Sequence, residues 1–156
     1  MGARRARTAR DARRRAYGQN FLASRALAAQ LVRDAKVEPG DLVVELGAGA
    51  GILTAQLARR ARGVQAVELD PVWAERLRRR FAGSERVDVI EADLVRVPLP
   101  AEPFRVVANL PFGETSRLLR RLLDDPATAL ARADLILQWE VARKRAGRPR
   151  TALSAA

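Results

Sequence analysis

The sequence predicts an α/β fold, a mostly parallel sheet with helices on both faces. Three features carry that expectation. The chain has 156 residues, the size of one ordinary domain. Short apolar runs alternate with amphipathic stretches long enough for crossover helices, the pattern of repeated βαβ units. A Gly-Ala-Gly-Ala-Gly stretch, residues 47–51, separates the first such run from the helix that follows it, where the backbone must turn sharply.

The elements follow in order. Ser24 can cap a helix with Leu27, Leu31 and Val32 on one face, and Pro39-Gly40 ends that segment in a turn. Leu42 to Leu46 is a candidate buried strand, 52–62 a helix, 64–69 a strand, and 71–81 a helix with Pro71 in its first turn. Residues 87–92 and 104–110 are strands, 114–123 is a helix rich in Leu and Arg, and 134–139 is a further strand. Residues 140–146 open like a helix, and Gly147-Arg148-Pro149 breaks it. The organisation expected is therefore an arm at 1–16, a folded domain at 17–146 and a short tail at 147–156.

Composition narrows the chemistry. The chain has no His and no Cys, which excludes Cys/His metal centres, catalytic thiols, disulfide scaffolds and Ser-His-Asp triads; no metal is expected. There is no apolar run of 18 residues and no apolar stretch after the N-terminal arginines, so neither a membrane span nor a secretory signal is read, and the cytoplasm is the expected location. With 29 Lys and Arg against 18 Asp and Glu, the net charge is +11, which points to a polyanion, most often nucleic acid. Of these, 27 are Arg, and 30 residues are Ala. Coding bias accounts for Arg in place of Lys but not for the excess charge. Seven Arg within residues 1–15, against Asp11 alone, read as a basic arm suited to phosphates.

The candidate site lies at the strand ends. The glycine loop after the first strand lets backbone N–H groups and a helix N-terminus approach a nucleotide-like ligand. Three carboxylates join it. Glu45 precedes the loop, Glu68 ends the second strand, and Asp93 closes the third; in a parallel sheet these share the carboxyl edge where ligands bind. Glu68 is placed to accept both hydroxyls of a ribose and Asp93 to meet an adenine amino group. NAD and S-adenosylmethionine both carry adenosine. The G-x-G-x-G order with an acid directly before it favours the cationic methyl donor over a dinucleotide, whose pyrophosphate gains nothing from that acid.

The fourth strand ends in Asn109-Leu110-Pro111-Phe112. The lone pair of adenine N6 is delocalised into the ring, so attack on a methyl group requires that nitrogen to become more tetrahedral. Acceptors for its two hydrogens favour the change, and the Asn109 side-chain oxygen and the Leu110 carbonyl could supply them. Pro111 fixes the turn, and Phe112 offers a face on which an extruded base can stack.

Gln19-Asn20-Phe21-Leu22, then Glu45-Leu46-Gly47-Ala48-Gly49-Ala50-Gly51, Glu68, Asp93 and Asn109 to Phe112 stand in the order and spacing of the rRNA adenine N6-methyltransferases, which the chain resembles over residues 17 to about 146. The resemblance is strongest to the Erm branch, the macrolide-lincosamide-streptogramin B resistance enzymes, through Asn20, Phe112 and residues 138–145. It implies a Rossmann-like S-adenosylmethionine-dependent methyltransferase fold, with residues 17–146 as the catalytic domain. It further implies that Gln19, Asn20 and Leu22 help close the donor pocket, that Gly47 and Gly49 line its methionine part, that Glu68 holds the ribose, and that Asp93 holds the adenine with Leu94 beside it. Asn109 would orient the target amino group and Phe112 would stack on the base. The expected partner is 23S rRNA. Members of the family continue with an antiparallel strand pair and a small helical RNA-binding domain. Nothing in these 156 residues corresponds to either, so a C-terminally short form is expected, with strand 134–139 an exposed edge through which copies could associate.

The leading expectation is therefore methylation of N6 of one adenine in 23S rRNA. The alternatives are dimethylation of 16S rRNA adenines in ribosome assembly, an inactive RNA-binding fragment, and a dinucleotide-dependent oxidoreductase, which would use neither Asn109 to Phe112 nor the basic arm.

Overall fold

The computed structural model describes residue 22, residues 24–110 and residues 115–137. The basic arm, Gln19, Asn20, Pro111, Phe112, the segment 140–146 and the tail 147–156 lie outside the described residues. Within them, helix α1 (Arg25–Asp34) is followed by β1 (Leu42–Leu46), α2 (Ile52–Leu57), β2 (Gly63–Glu68), α3 (Pro71–Arg80), β3 (Val87–Glu91), β4 (Phe104–Asn109), α4 (Thr115–Leu123) and β5 (Leu130–Ile136). The five strands form one sheet in the order β3-β2-β1-β4-β5, every neighbouring pair parallel. The order reverses beside β1, and the crevice between β1 and β4 at their carboxyl ends is where open α/β sheets take ligands.

Burial follows from the connections. Each crossover lays a helix on one face, so the central strands must be apolar on both. All five residues of β1 are buried. One layer joins Val43, Val64 and Val107 to Ala28 and Val32 of α1 and to Leu53 and Leu57 of α2. The opposite layer joins Val44, Leu46, Val67, Phe104, Val106 and Ala108 to Leu118 and Leu122 of α4. Ala66 with Leu77 of α3 completes the packing beside β2.

Ser24 caps α1, accepting a hydrogen bond from the Leu27 amide at 3.1 Å. Leu27 itself is 48% exposed, so the inner face of α1 runs through Ala28 and Val32 and not through Leu27. Helix α2 stops at Leu57, short of the expected residue 62. The Arg60 and Ala61 amides both turn back to the Leu57 carbonyl, and Ala61 is fully buried, so the chain is already bending toward β2. Strand β5 begins four residues earlier than expected. The added part carries Arg132, which looks like a loop residue in sequence but pairs with Asp134 at 2.7 Å and lies in register with Arg105 of β4.

Arg105 is the polar pin of this scaffold. Its side chain is nearly buried and donates to the carbonyls of Ala35 and Lys36 just past the end of α1. It also donates to the Asp41 carboxylate at 2.6 Å, with Asp134 3.6 Å away. Lys36 has a left-handed backbone, φ 51°, which turns these carbonyls out of the helix toward the guanidinium. Burial raises the Asp41 carboxyl, but hydrogen bonds from the Glu38 amide and from Arg105 outweigh it and hold the group below its ordinary range. Arg105→Met strips that carboxylate of its ion pair, leaving it only the Glu38 amide, and takes the donor from two carbonyls, so it is expected to cost about 3–5 kcal/mol. A urea titration should show a lower midpoint at unchanged slope; a loss under about 1 kcal/mol would contradict the role assigned to Arg105.

Candidate functional site

The loop between β1 and α2 takes a shape that only glycine adopts cheaply. Gly47, Gly49 and Gly51 have φ of 82°, 52° and 74°, all left-handed. Two of its amides, Gly47 and Ala48, donate to the Val67 carbonyl of β2 at 2.8 and 3.0 Å. The third, Gly49, donates to Glu68 Oε2 at 2.8 Å. The other oxygen of Glu68 accepts from the Asp70 amide at 2.9 Å, and Asp70 caps α3 by accepting from Val72 at 2.9 Å. One buried carboxylate thus ties the glycine loop to the start of the next helix.

Glu45 lies beneath the loop with 2% of its surface exposed, and its Oε2 has no hydrogen-bond partner. Burial pushes its carboxyl up to about 8; the polar groups of Thr54 work against the rise and the neighbouring Glu68 adds to it. Glu45 is therefore mostly protonated at neutral pH. Glu68 is also raised by burial, opposed by the amides of Asp70, Gly49 and Leu69. Glu45 lines a cavity together with Leu22, Gly47, Gly49, Ile52 and Asn109. The β1–β4 ladder registers only Val43 with Arg105 and Val44 with Val106, and beyond it Glu45 and Asn109 flank this opening.

The structure thus brings together Leu22, Glu45, Gly47, Gly49 and Asn109, and attaches Glu68 through the Gly49 amide. Asp93 stands apart, two strands away from β1. The residue that ends β3 is Glu91, in register with Glu68 and bonded to Arg78 at 3.1 Å. Asp93 instead opens the turn after β3, where its Oδ1 accepts from the Val95 amide at 2.8 Å. Leu94 and Leu110 are both buried. Their side chains belong to the α4-side core, so only their backbones can serve a ligand. The Leu110 amide reaches the Ile136 carbonyl at 3.4 Å, which leaves the Leu110 carbonyl as the group that sequence reasoning assigned.

Sequence reasoning missed three residues. Asp70 followed by Pro71 is an N-cap signature and was legible. Gly51 was legible as part of the loop but not as a point where Leu77 and Phe81 leave no room for a Cβ. Leu69, between Glu68 and Asp70, is 42% exposed, an apolar side chain at the carboxyl edge with no pattern to announce it. Among the described residues no group of His, Cys, Asp or Glu could hold a metal ion, and no helix is long and apolar enough to cross a membrane.

The family model described as Ribosomal RNA adenine dimethylase matches residues 10–155. An rRNA methyltransferase of Streptomyces thermotolerans is 43% identical over 141 residues, 90% of this chain and 46% of that protein. The mycinamicin-resistance protein MyrB of Micromonospora griseorubida is 40% identical over 134 residues, 86% of this chain and 42% of that protein. Among solved structures, the crystal structure of the 23S rRNA methyltransferase ErmE superposes with a TM-score of 0.76 at 38% identity, covering 82% of this chain and 52% of that one. The chain spans about half the length of the relatives it matches, or less.

Two outcomes follow from the geometry. A Cβ on Gly51 would stand 2.7 Å from Leu77 Cδ2 and 3.0 Å from Phe81 Cε2 at a left-handed φ, so Gly51→Ala should destabilise the fold by about 1–3 kcal/mol, read as a lower Tm. For Glu45, a native pKa near 8 means the folded chain keeps a proton that the unfolded chain gives up near its ordinary value. The stability this brings is complete below that ordinary value and is lost as pH rises to about 8, at up to about 1.4 kcal/mol per pH unit. The Tm of Glu45→Gln should therefore gain on that of the native chain between pH 5 and 8 and stay parallel above; a gap constant with pH would contradict this.

Proposed function

The chain belongs to the ribosomal RNA adenine dimethylase family, and from that premise we propose that it binds S-adenosylmethionine and transfers its methyl group to N6 of an adenine in 23S rRNA, giving resistance to macrolide, lincosamide and streptogramin B antibiotics. The observation that carries this reading is the shared cavity of the Gly47–Gly51 loop, Glu45 and Asn109. It sets a cation-favouring acid and a close-approach backbone beside a side-chain amide suited to an amino group. The relatives named above support the choice of RNA and the link to resistance.

The residues fit such a donor. The orphaned, buried Oε2 of Glu45 is an acceptor held out of water, and a cation beside it would favour the ionised form. The Glu68 carboxylate accepts from the Gly49 and Asp70 amides, with the Leu69 amide also acting on it, and its two oxygens keep acceptor capacity for a ribose hydroxyl. Leu69 offers an exposed apolar side chain at the same edge, suited to the face of an adenine ring. Asp93 would meet the amino group of that ring from the turn after β3, and Gln19 and Asn20 would close the pocket from outside the described residues.

When bound, the donor supplies an electrophilic methyl group on a sulfonium. The chain's own part is positioning and electrostatics. The Asn109 side-chain oxygen and the Leu110 carbonyl accept the two hydrogens of N6 and favour a tetrahedral nitrogen, while Phe112 stacks on the extruded base. No general base is needed, because the N6 proton becomes acidic only after the methyl has arrived and can leave to water. The absence of His is compatible with this chemistry. The basic arm at 1–16 and the exposed Arg117 and Arg120 of α4 would hold phosphates.

The test is transfer of labelled methyl from S-adenosylmethionine to protein-free 23S and 16S rRNA. Label is expected in 23S rRNA, reduced at least 100-fold by Asn109→Ala. Label in 16S rRNA alone would replace the proposal with a ribosome-assembly role, and no label in either RNA from folded protein would overturn the activity.

A further inference from the structure

Arg121 on α4 has no part in the site as described, yet its side chain crosses to the turn after β3. Its guanidinium donates to the Leu94 carbonyl at 3.1 Å and to the Val97 carbonyl. The turn it grips is that of Asp93. The Asp93 carbonyl accepts from the amides of Arg96 and Val97 at 2.9 and 2.8 Å, and its Oδ1 accepts from Val95. Residues 93–97 therefore form one hydrogen-bonded unit. Leu94 and Val97 anchor its underside in the same core as Leu118 and Leu122 of α4.

A guanidinium fork fixes direction as well as distance, because its N–H groups lie in one plane. Two carbonyls three residues apart, held by one fork, leave the turn little freedom to rotate on its apolar anchors. Apolar packing alone lacks that directionality. Burial lowers the pKa of Arg121, and the charge of Asp93 acts in the opposite sense, so the carboxylate is near enough to feel the guanidinium. Helix α4 is also the element that follows β4, whose last residue is Asn109. Its Leu118 and Leu122 share one core with Leu94 and Val97 of the turn and with Ala108 and Leu110 around Asn109, so α4 packs against both sides of the proposed site.

We propose that Arg121 is a positioning residue. Through the Leu94 and Val97 carbonyls it sets the Asp93 turn at a fixed place relative to the Asn109 end of β4, and so fixes the adenine end of the donor site. The inference rests on the functional reading above.

The test is calorimetric affinity for S-adenosylmethionine in the full chain. Arg121→Met keeps the apolar stem of the side chain and removes the fork; it should weaken donor binding about tenfold. Arg121→Lys keeps the charge and can hold one carbonyl, so it should fall between, at about threefold, and provides a second variant should the first not fold. In an Asp93→Ala background Arg121→Met should matter less than twofold, since the carboxylate to be positioned is gone. Leu57→Ala, which opens the opposite core layer, should lower the Tm at least as far as Arg121→Met while leaving affinity unchanged. Native affinity in both Arg121 variants, or a full tenfold effect persisting without Asp93, would overturn the positioning role. A native chain that binds no donor at all would overturn the functional reading, and this inference with it.

Discussion

The structure depends on where the amides of residues 47–49 go. A strand that must turn at once into a helix exposes several backbone donors in a buried place, and each has to find an acceptor. Val67 supplies one with its carbonyl and Glu68 another with its carboxylate. This settles more than the loop. Because the same carboxylate accepts the amide of Asp70, and Asp70 caps α3, the β1–α2 and β2–α3 connections become one assembly at the carboxyl edge.

The two buried acids in that assembly face different problems. Glu68 is surrounded by backbone donors that offset part of its loss of water. Glu45 has an oxygen with no hydrogen-bond partner, and it responds by holding its proton. An unpaired buried polar atom is a standing cost to folding, and such costs collect at functional sites. A ligand carrying positive charge would relieve it. The chain is basic overall, yet two carboxyl groups are buried at this point; under the proposed function, that contrast would separate a pocket for a cationic small molecule from a surface for a polyanion.

Much of this was legible in the sequence. The period of the apolar runs gave the parallel sheet, and the glycines gave the loop, because both are local patterns with one physical solution. The errors came where tertiary contacts override local pattern. Leu27 was assigned to the inner face of α1 on spacing alone. The length of α2 was overestimated because Ala61 and Arg62 suit a helix but are drawn into the turn before β2. The start of β5 was missed because Arg132 is charged and exposed, and residues 130–133 read as a strand only when β4 is beside them. Asp93 was read as a strand end, whereas Glu91 holds that place. Arg105 and Arg121 had no signature at all: their carbonyl partners lie 70 and 27 residues away, and among 27 arginines sequence offers no means of telling a buried fork from a solvated one.

The central claim is that the cavity of Glu45, the glycine loop and Asn109 is a methyl-donor site. A crystal structure of the chain with S-adenosylhomocysteine tests it most directly. The account predicts the amino-acid end of the ligand against Gly47 and Gly49, the ribose hydroxyls on Glu68 and the adenine toward Asp93. A ligand bound elsewhere, or one whose ribose lies away from Glu68, would contradict it.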